Sequence, residues 1–229
     1  MSTKKIAVIA AHPDDEILGC GGTIARHIAA GDEVHVLIMA EGETSRLHAR
    51  NRENVSEKLD ALGEAARRAH AILGTSSLKM LPLPDNRLDS LDLLDVIKYV
   101  EDFVEYFSPE IVYTHFPNDL NIDHRIVSEA VQTACRPIPN ACVKTILFFE
   151  VASSTEWKMA EMAVFTPNYF VDISNFLDKK LAALHCYQSE MRDFPHARSL
   201  LALESLARWR GATVGHFAAE AFMLGRSVL

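Results

Sequence analysis

Ala11-His12-Pro13-Asp14-Asp15-Glu16 follows the apolar run Ile6-Ala7-Val8-Ile9-Ala10 without a gap. An imidazole and two adjacent carboxylates are thereby delivered to the end of a short buried strand. Asn118-Asp119-Leu120-Asn121-Ile122-Asp123-His124 comes off a second β-like run, Ile111-Val112-Tyr113-Thr114, and brings a second imidazole with further carboxylates. Two such strand ends side by side can build a mononuclear metal site. Hydrolytic zinc usually takes three protein ligands from His and Asp or Glu and keeps a position open for water. Binding lowers the pKa of that water from about 15.7 to roughly 7, and a nearby carboxylate can accept its proton. Neighbouring residues leaving a strand point to opposite sides. Asp14 and Asp15 are therefore expected to do different jobs, one on the metal and one facing water and substrate.

Such groups need a scaffold that sets two strand ends together, and the hydropathy pattern supplies one. Strands are expected at Ile6 to Ala10, Val34 to Ala40, Leu78 to Leu83, Ile111 to Thr114, Thr145 to Val151 and Tyr169 to Ile173. Between them fall helical patterns at Leu18 to Ala30, Arg50 to Leu73 (broken or bent near Gly63), Leu91 to Phe107 and Asp123 to Cys135. Ser174 to Gln188 and Ser199 to Trp209 read as later helices. Alternation of this kind implies an α/β, Rossmann-like fold: a mostly parallel sheet with helices on both faces. Ligands of open α/β sheets bind at the C-terminal ends of the strands, where both motifs fall. The glycines from Gly19 to Gly22 lack the G-x-G-x-x-G spacing of a dinucleotide loop; they let the first helix pack close to the sheet. No internal repeat or linker divides the chain, so one domain over residues 1–229 is expected.

Composition narrows the function classes. The net charge of −8, with no basic run interleaved with aromatics, argues against a nucleic-acid surface. No apolar run approaches the roughly 18 residues of a membrane span, and the N-terminal stretch is too short for a signal peptide. Cys20, Cys135, Cys142 and Cys186 show no CxxC spacing. They read as reduced thiols of a cytoplasmic protein.

On Ala11 to Glu16 and the Asp119 to Arg125 segment, with Gly19-Cys20-Gly21-Gly22-Thr23, Leu83-Pro84-Asp85-Asn86 and Ala219-Glu220-Ala221-Phe222 in support, the chain resembles the PIG-L/LmbE-like zinc-dependent N-deacetylases. The resemblance implies one zinc per chain held by His12, Asp15 and His124, with iron(II) or cobalt accepted by the same set. It implies Asp14 as general base. The expected reaction is removal of an acetyl group from an N-acetylated amino sugar or its nucleotide- or glycoconjugate, a small-molecule substrate. By analogy a homo-oligomer is expected too. One position departs from the family pattern: many members carry H-P-D-H where this chain reads Asn121-Ile122-Asp123-His124. Asparagine can donate a hydrogen bond to an oxyanion but cannot supply a proton as imidazolium would. Protonation of the departing amine then falls to Asp14 in a second role, or to His115 or His196.

Other polar clusters are candidates for substrate contact. By the resemblance, an arginine after the second strand touches substrate, and Arg46 is that residue. Ser153-Ser154-Thr155-Glu156-Trp157 sets hydroxyls and the Glu156 carboxylate beside the Trp157 indole, a combination suited to a sugar. Pro195-His196-Ala197-Arg198 adds a histidine for proton transfer and a guanidinium able to pair with phosphate or carboxylate. Simpler roles stand beside these: a surface turn for His196, a salt bridge for Arg198, packing for Trp157, solvated loop for Arg46. Asp123 fits either a helix cap or an outer partner of a metal ligand. Two alternatives to the sugar deacetylase remain: a metal-dependent amidase or esterase on a non-sugar conjugate, and a non-catalytic sugar- or nucleotide-binding protein.

Overall fold

Ile6-Ala7-Val8-Ile9-Ala10 has no polar side chain on either face, and all five residues are fully buried. That is the pattern of a strand covered on both sides, as in parallel sheets flanked by helices. The computed structural model of the chain describes residues 3–159 and 163–228. Its strands are β1 Lys5–Ala10, β2 Glu33–Ala40, β3 Ser77–Leu83, β4 Ile111–His115, β5 Thr145–Phe149, β6 Tyr169–Asp172 and β7 Ala219–Ser227. The helices are α1 Asp15–Ala29, α2 Ser56–Leu73, α3 Leu93–Phe107, α4 Ile122–Ala134, α5 Leu177–His185 and α6 Leu200–Ala212. They surround a seven-stranded sheet of order β3-β2-β1-β4-β5-β7-β6. The first five strands in that order pair parallel; β7 runs antiparallel to both β5 and β6.

Strand alternation divides the core. Ile6, Val8 and Ala10 face α1, α2 and α5, packing with Ile17, Ile24, Leu62, Leu73 and Leu184. Ala7, Ile9 and Ala11 face α3 and α4, against Val96, Val100, Phe103, Val127 and Val131. The sheet order turns round at β1: the chain proceeds to β2 on one side and later returns as β4 on the other. That reversal leaves a crevice above the ends of β1 and β4.

The structure departs from the sequence-based expectation in two places. β7 carries no strand signal in its sequence, since Ala219-Glu220-Ala221-Phe222 has an acid and two alanines where β-branched residues would mark a strand. α2 runs unbroken through Gly63. A lone helical glycine costs only about 1 kcal/mol against alanine, and the buried stripe Leu62, Ala65, Ala66, Ala69 and Leu73 holds the helix on the sheet.

The break lies instead in α1, at Cys20 (φ −148°, ψ 24°). Glu220 of β7 repairs it, accepting the Gly22 and Thr23 amides at 2.9 and 2.6 Å. Lys180 of α5 neutralises Glu220 at 2.6 Å and donates to the Leu18 carbonyl at 2.8 Å. Close approach explains the glycines. A Cβ on Gly22 would stand 2.7 Å from Ile173 Cδ1, and one on Gly19 would collide with the Phe149 ring. The small residues thus seat α1, and with it the His12 to Glu16 segment, directly on the sheet.

Candidate active site

The crevice is pinned by one bond between its two strand ends: the Ala11 amide donates to His115 Nε2 at 2.8 Å. His12 Nδ1 and His124 Nε2 each lie 3.2 Å from Asp15 Oδ2. Nitrogen and carboxylate ligand atoms of His12, Asp15 and His124 fall within 4.8 Å of one another. All three residues are buried. Among the described residues, Asp15 Oδ1 and both ring nitrogens of His124 lack a partner in hydrogen-bonding geometry. Buried polar atoms left unpaired are costly, and an imidazole pair with a carboxylate is a donor set that suits a divalent transition ion. These residues therefore fit a metal ion, and they form a buried metal-binding group.

A ring of carboxylates supports the two imidazoles from behind. His12 Nε2, the nitrogen turned away from Asp15, lies 3.1 Å from Asp123 Oδ2 and 3.3 Å from Asp85 Oδ1. Asp123 is held in turn by the amides of Asn86 and Leu88 at 2.7 and 2.9 Å. His124 Nδ1 lies 3.1 Å from Asp119 Oδ1. Asp119 also accepts from the hydroxyls of Ser154 and Thr155 and from the Asn121 amide. A partner of this kind on the far nitrogen fixes a ligand's tautomer and raises its basicity. Burial pulls the His124 imidazole down, but Asp15 and Asp119 outweigh it and raise its pKa to about 9. Burial likewise pushes Asp119 up, while His124, Ser154 and Thr155 prevail and hold it at about 2. His115 differs. Burial and the neighbouring His124 push its imidazole well below its usual value, and the Ala11 amide occupies its Nε2 lone pair.

Asp14 sits in a strained backbone conformation, φ +113°, at the N-cap of α1. Non-glycine residues avoid positive φ unless their surroundings hold them there. The prop is Glu16, whose carboxylate accepts the Asp14 amide at 3.1 Å and the Tyr187 hydroxyl at 2.8 Å, with His70 at 3.2 Å. The Asp14 carboxylate receives Arg198 Nη1 at 2.8 Å, and Arg198 Nε donates to Ser153 Oγ at 2.8 Å. Burial raises the Asp14 pKa well above its usual value, Arg198 opposes, and Asp15, Glu190 and Glu16 reinforce the rise.

The remaining candidates fall in several places. Arg46 is engaged twice over, donating to both oxygens of Glu43 and both of Glu190 at 2.8 to 2.9 Å. Asn121 caps α4, its Oδ1 accepting the Asp123 amide at 2.8 Å. Asp123 shares that helix's first turn, but its carboxylate serves His12. His196 Nδ1 accepts the Arg198 amide at 3.0 Å, and the Trp157 ring meets the His196 ring edge-on at 5.6 Å. Trp157 is 52% exposed. Glu156 accepts the Ser153 amide at 2.6 Å. The hydroxyls of Ser154 and Thr155 turn inward to Asp119 and do not line a sugar pocket. Sequence reasoning missed Asp85, Asp119 and Glu16 as parts of the site. All three lie inside the motifs at Ala11 to Glu16, Leu83 to Asn86 and Asn118 to His124, and their acidic character beside the candidate ligands was the available signal.

The family of de-N-acetylases described as PIG-L, GlcNAc-PI de-N-acetylase, matches residues 7–135, more than half the chain. The chain belongs to this family. The matched stretch contains the whole metal-binding group, while Ser153, Glu190 and Arg198 lie beyond it. Over 192 residues the chain is 33% identical to the uncharacterized deacetylase YaiS of Escherichia coli strain K12, covering 81% of this chain and 91% of YaiS. It is 27% identical over 226 residues to the diacetylchitobiose deacetylase of Thermococcus kodakarensis, covering 95% and 81% of the two chains. A solved 4-carboxy-2-hydroxymuconate hydratase from Pseudomonas putida KT2440 superposes with a TM-score of 0.79 at 22% identity, covering 99% and 98%. At that identity the likeness shows the fold alone. No described helix is long and apolar enough to cross a membrane.

Proposed function

We propose that this chain is a metal-dependent N-deacetylase that hydrolyses the acetamide of an N-acetylated amino sugar, with zinc as its ion. The supporting observation is the buried His12, Asp15 and His124 group with the Asp14 carboxylate beside it. A divalent ion held by those three residues supplies Lewis acidity, which polarises an amide carbonyl and makes water acidic near neutral pH. Asp14 takes the proton of the attacking water. It then delivers that proton to the amine nitrogen as the C–N bond breaks; the water's second proton leaves on the acetyl group as acetic acid, which ionises in solvent, so the protons balance. Arg198 holds the Asp14 carboxylate in one orientation. Asn121 Oδ1 is spent on the helix cap, which leaves Nδ2 as the end that donates to the oxyanion. His196, whose Nδ1 accepts the Arg198 amide, is held as the tautomer with N–H on Nε2, which suits a hydrogen bond to substrate rather than protonation of the amine. Trp157 offers an apolar face to a sugar ring beside it.

The fold also carries a hydratase, so the reaction class must be tested directly. The experiment is acetate release from N-acetyl amino sugars, free, nucleotide-linked and lipid-linked, by metal-loaded protein. Release that vanishes on chelation and in Asp14→Asn is the expected result. No release from any sugar by protein with confirmed metal would overturn the sugar reading in favour of a non-sugar amide or ester.

A further inference from the structure

We propose that this site discriminates by charge: it takes N-acetyl sugars that are neutral or carry a free amine, and rejects phosphate-, nucleotide- and carboxylate-bearing conjugates. The inference rests on the deacetylase reading above. Its basis is the fate of the two guanidiniums that the sequence offers as anion anchors. Arg46 presents a fork that would grip a phosphate or carboxylate with two parallel N–H bonds. Both sides of that fork are filled by Glu43 and Glu190, each bound through both oxygens. These two acids are buried, at 2% and 8% exposure, while Arg46 is more open. The guanidinium is what permits two carboxylates to sit there, and withdrawing it toward a ligand would strand both. Arg198 is bound as firmly, by Asp14 and Ser153.

The two clusters form one lining. Glu190 lies close enough to Asp14 and Arg198 to act on the charge of each, and Asp85, which touches His12, does the same to Arg46 and Glu43. Around the imidazoles stand Asp15, Asp85, Asp119 and Asp123, so carboxylates outnumber guanidiniums even after a divalent ion is counted. Nearby Arg87 and Arg125 are turned to backbone carbonyls, of Leu47 and His48 and of Asp119 and Leu120 respectively. An incoming phosphate would meet like charge with no unspent fork to receive it, and like-charge juxtaposition at an interface is strongly unfavourable. An ammonium meets the opposite field. A sugar already bearing one free amine, as in a half-deacetylated disaccharide, is therefore accepted.

The test uses metal-loaded full-length protein and acetate release from four probes. These are di-N-acetylchitobiose, its mono-deacetylated form, N-acetylglucosamine 1-phosphate and UDP-N-acetylglucosamine. The two anionic probes are expected to show kcat/KM at least about tenfold below the neutral disaccharide, the factor ~1.4 kcal/mol of repulsion produces. Glu190→Gln removes one of the two charges that occupy the Arg46 fork and should raise the anionic-to-neutral ratio of kcat/KM by about tenfold, chiefly through KM for the anionic probes. Glu43→Gln removes the other and should act in the same direction. A gain of this kind cannot arise from misfolding or metal loss. Anionic probes turned over as well as the neutral one, or a ratio unmoved in both variants, would overturn the charge filter while leaving the deacetylase intact. Absence of acetate from all four would overturn the deacetylase reading, and the filter with it.

Discussion

Asp119→Asn isolates what the outer carboxylates do for the metal. In the native protein the Asp119 carboxyl, held at about 2, is ionised throughout the neutral range. It stands 3.1 Å behind His124 Nδ1. Asparagine has the same shape. Its Oδ1 can still accept the Asn121 amide, and its Nδ2 can donate to Thr155, so the local frame is retained. The full negative charge opposite His124 is what disappears. Loss of such an outer partner typically lowers metal affinity by about 10–100-fold, or ~1.4–2.7 kcal/mol. Replacing charge-assisted hydrogen bonds by neutral ones should also lower the stability of the metal-free protein by about 1–3 kcal/mol. The assay is zinc competition against a chromophoric chelator at fixed pH, paired with urea melts of the chelated protein. A dissociation constant within about threefold of wild type, in a variant that melts as expected, would refute the idea that Asp119 tunes His124.

Three further outcomes follow from the same geometry. Metal-free protein should lose stability as pH rises from about 6.5 to 9, because His124 has its folded pKa raised to about 9; the contribution, about 3 kcal/mol, is complete below the unfolded value. Metal-loaded protein should not show that loss, since a ligating imidazole is already neutral, and urea midpoints across this range compare the two. Gly22→Ala places a methyl 2.7 Å from Ile173 Cδ1 and should cost about 1–3 kcal/mol by overpacking, with Ile173→Val restoring part of the loss in thermal melts. Lys180→Met leaves Glu220 without its buried cation and should cost about 3–5 kcal/mol; adding Glu220→Gln should recover some of it, and an unchanged melting temperature in the single variant would count against the pair's role at the α1 break.

The two strand ends were legible because they combine strong local signals: continuous apolar strands, followed at once by residues with metal-binding chemistry. His12, Asp15 and His124 converge because β1 and β4 are neighbours, and alternating strand and helix patterns already imply adjacency at a reversal of sheet order. β7 was illegible for the opposite reason. Its Glu220 is placed by a demand elsewhere in the chain, the unpaired amides of Gly22 and Thr23, and no local pattern encodes a partner nearly two hundred residues away. Arg46 shows a third case. Its sequence position at a strand end said that it would be near the site, but not that Glu43 and Glu190 would claim both sides of its guanidinium.

The outer support of the two histidines explains how distant segments become parts of one centre. His12 leans on Asp123 and Asp85, whose oxygens are fixed by backbone amides of Asn86, Leu88 and Ser45. His124 leans on Asp119, fixed by two hydroxyls from the segment after β5. That same segment supplies Ser153, which accepts from Arg198, and Arg198 in turn donates to Asp14. A displacement of residues 153–155 would therefore disturb the metal group and the base together, although none of the three residues touches either substrate or ion in the proposed reaction. Ser154→Ala and Thr155→Ala should accordingly weaken zinc binding, whereas Ser153→Ala should lower kcat with zinc affinity unchanged. If all three variants shifted zinc affinity alike, the segment would be acting as a single structural brace, and the separation between its two branches would be wrong.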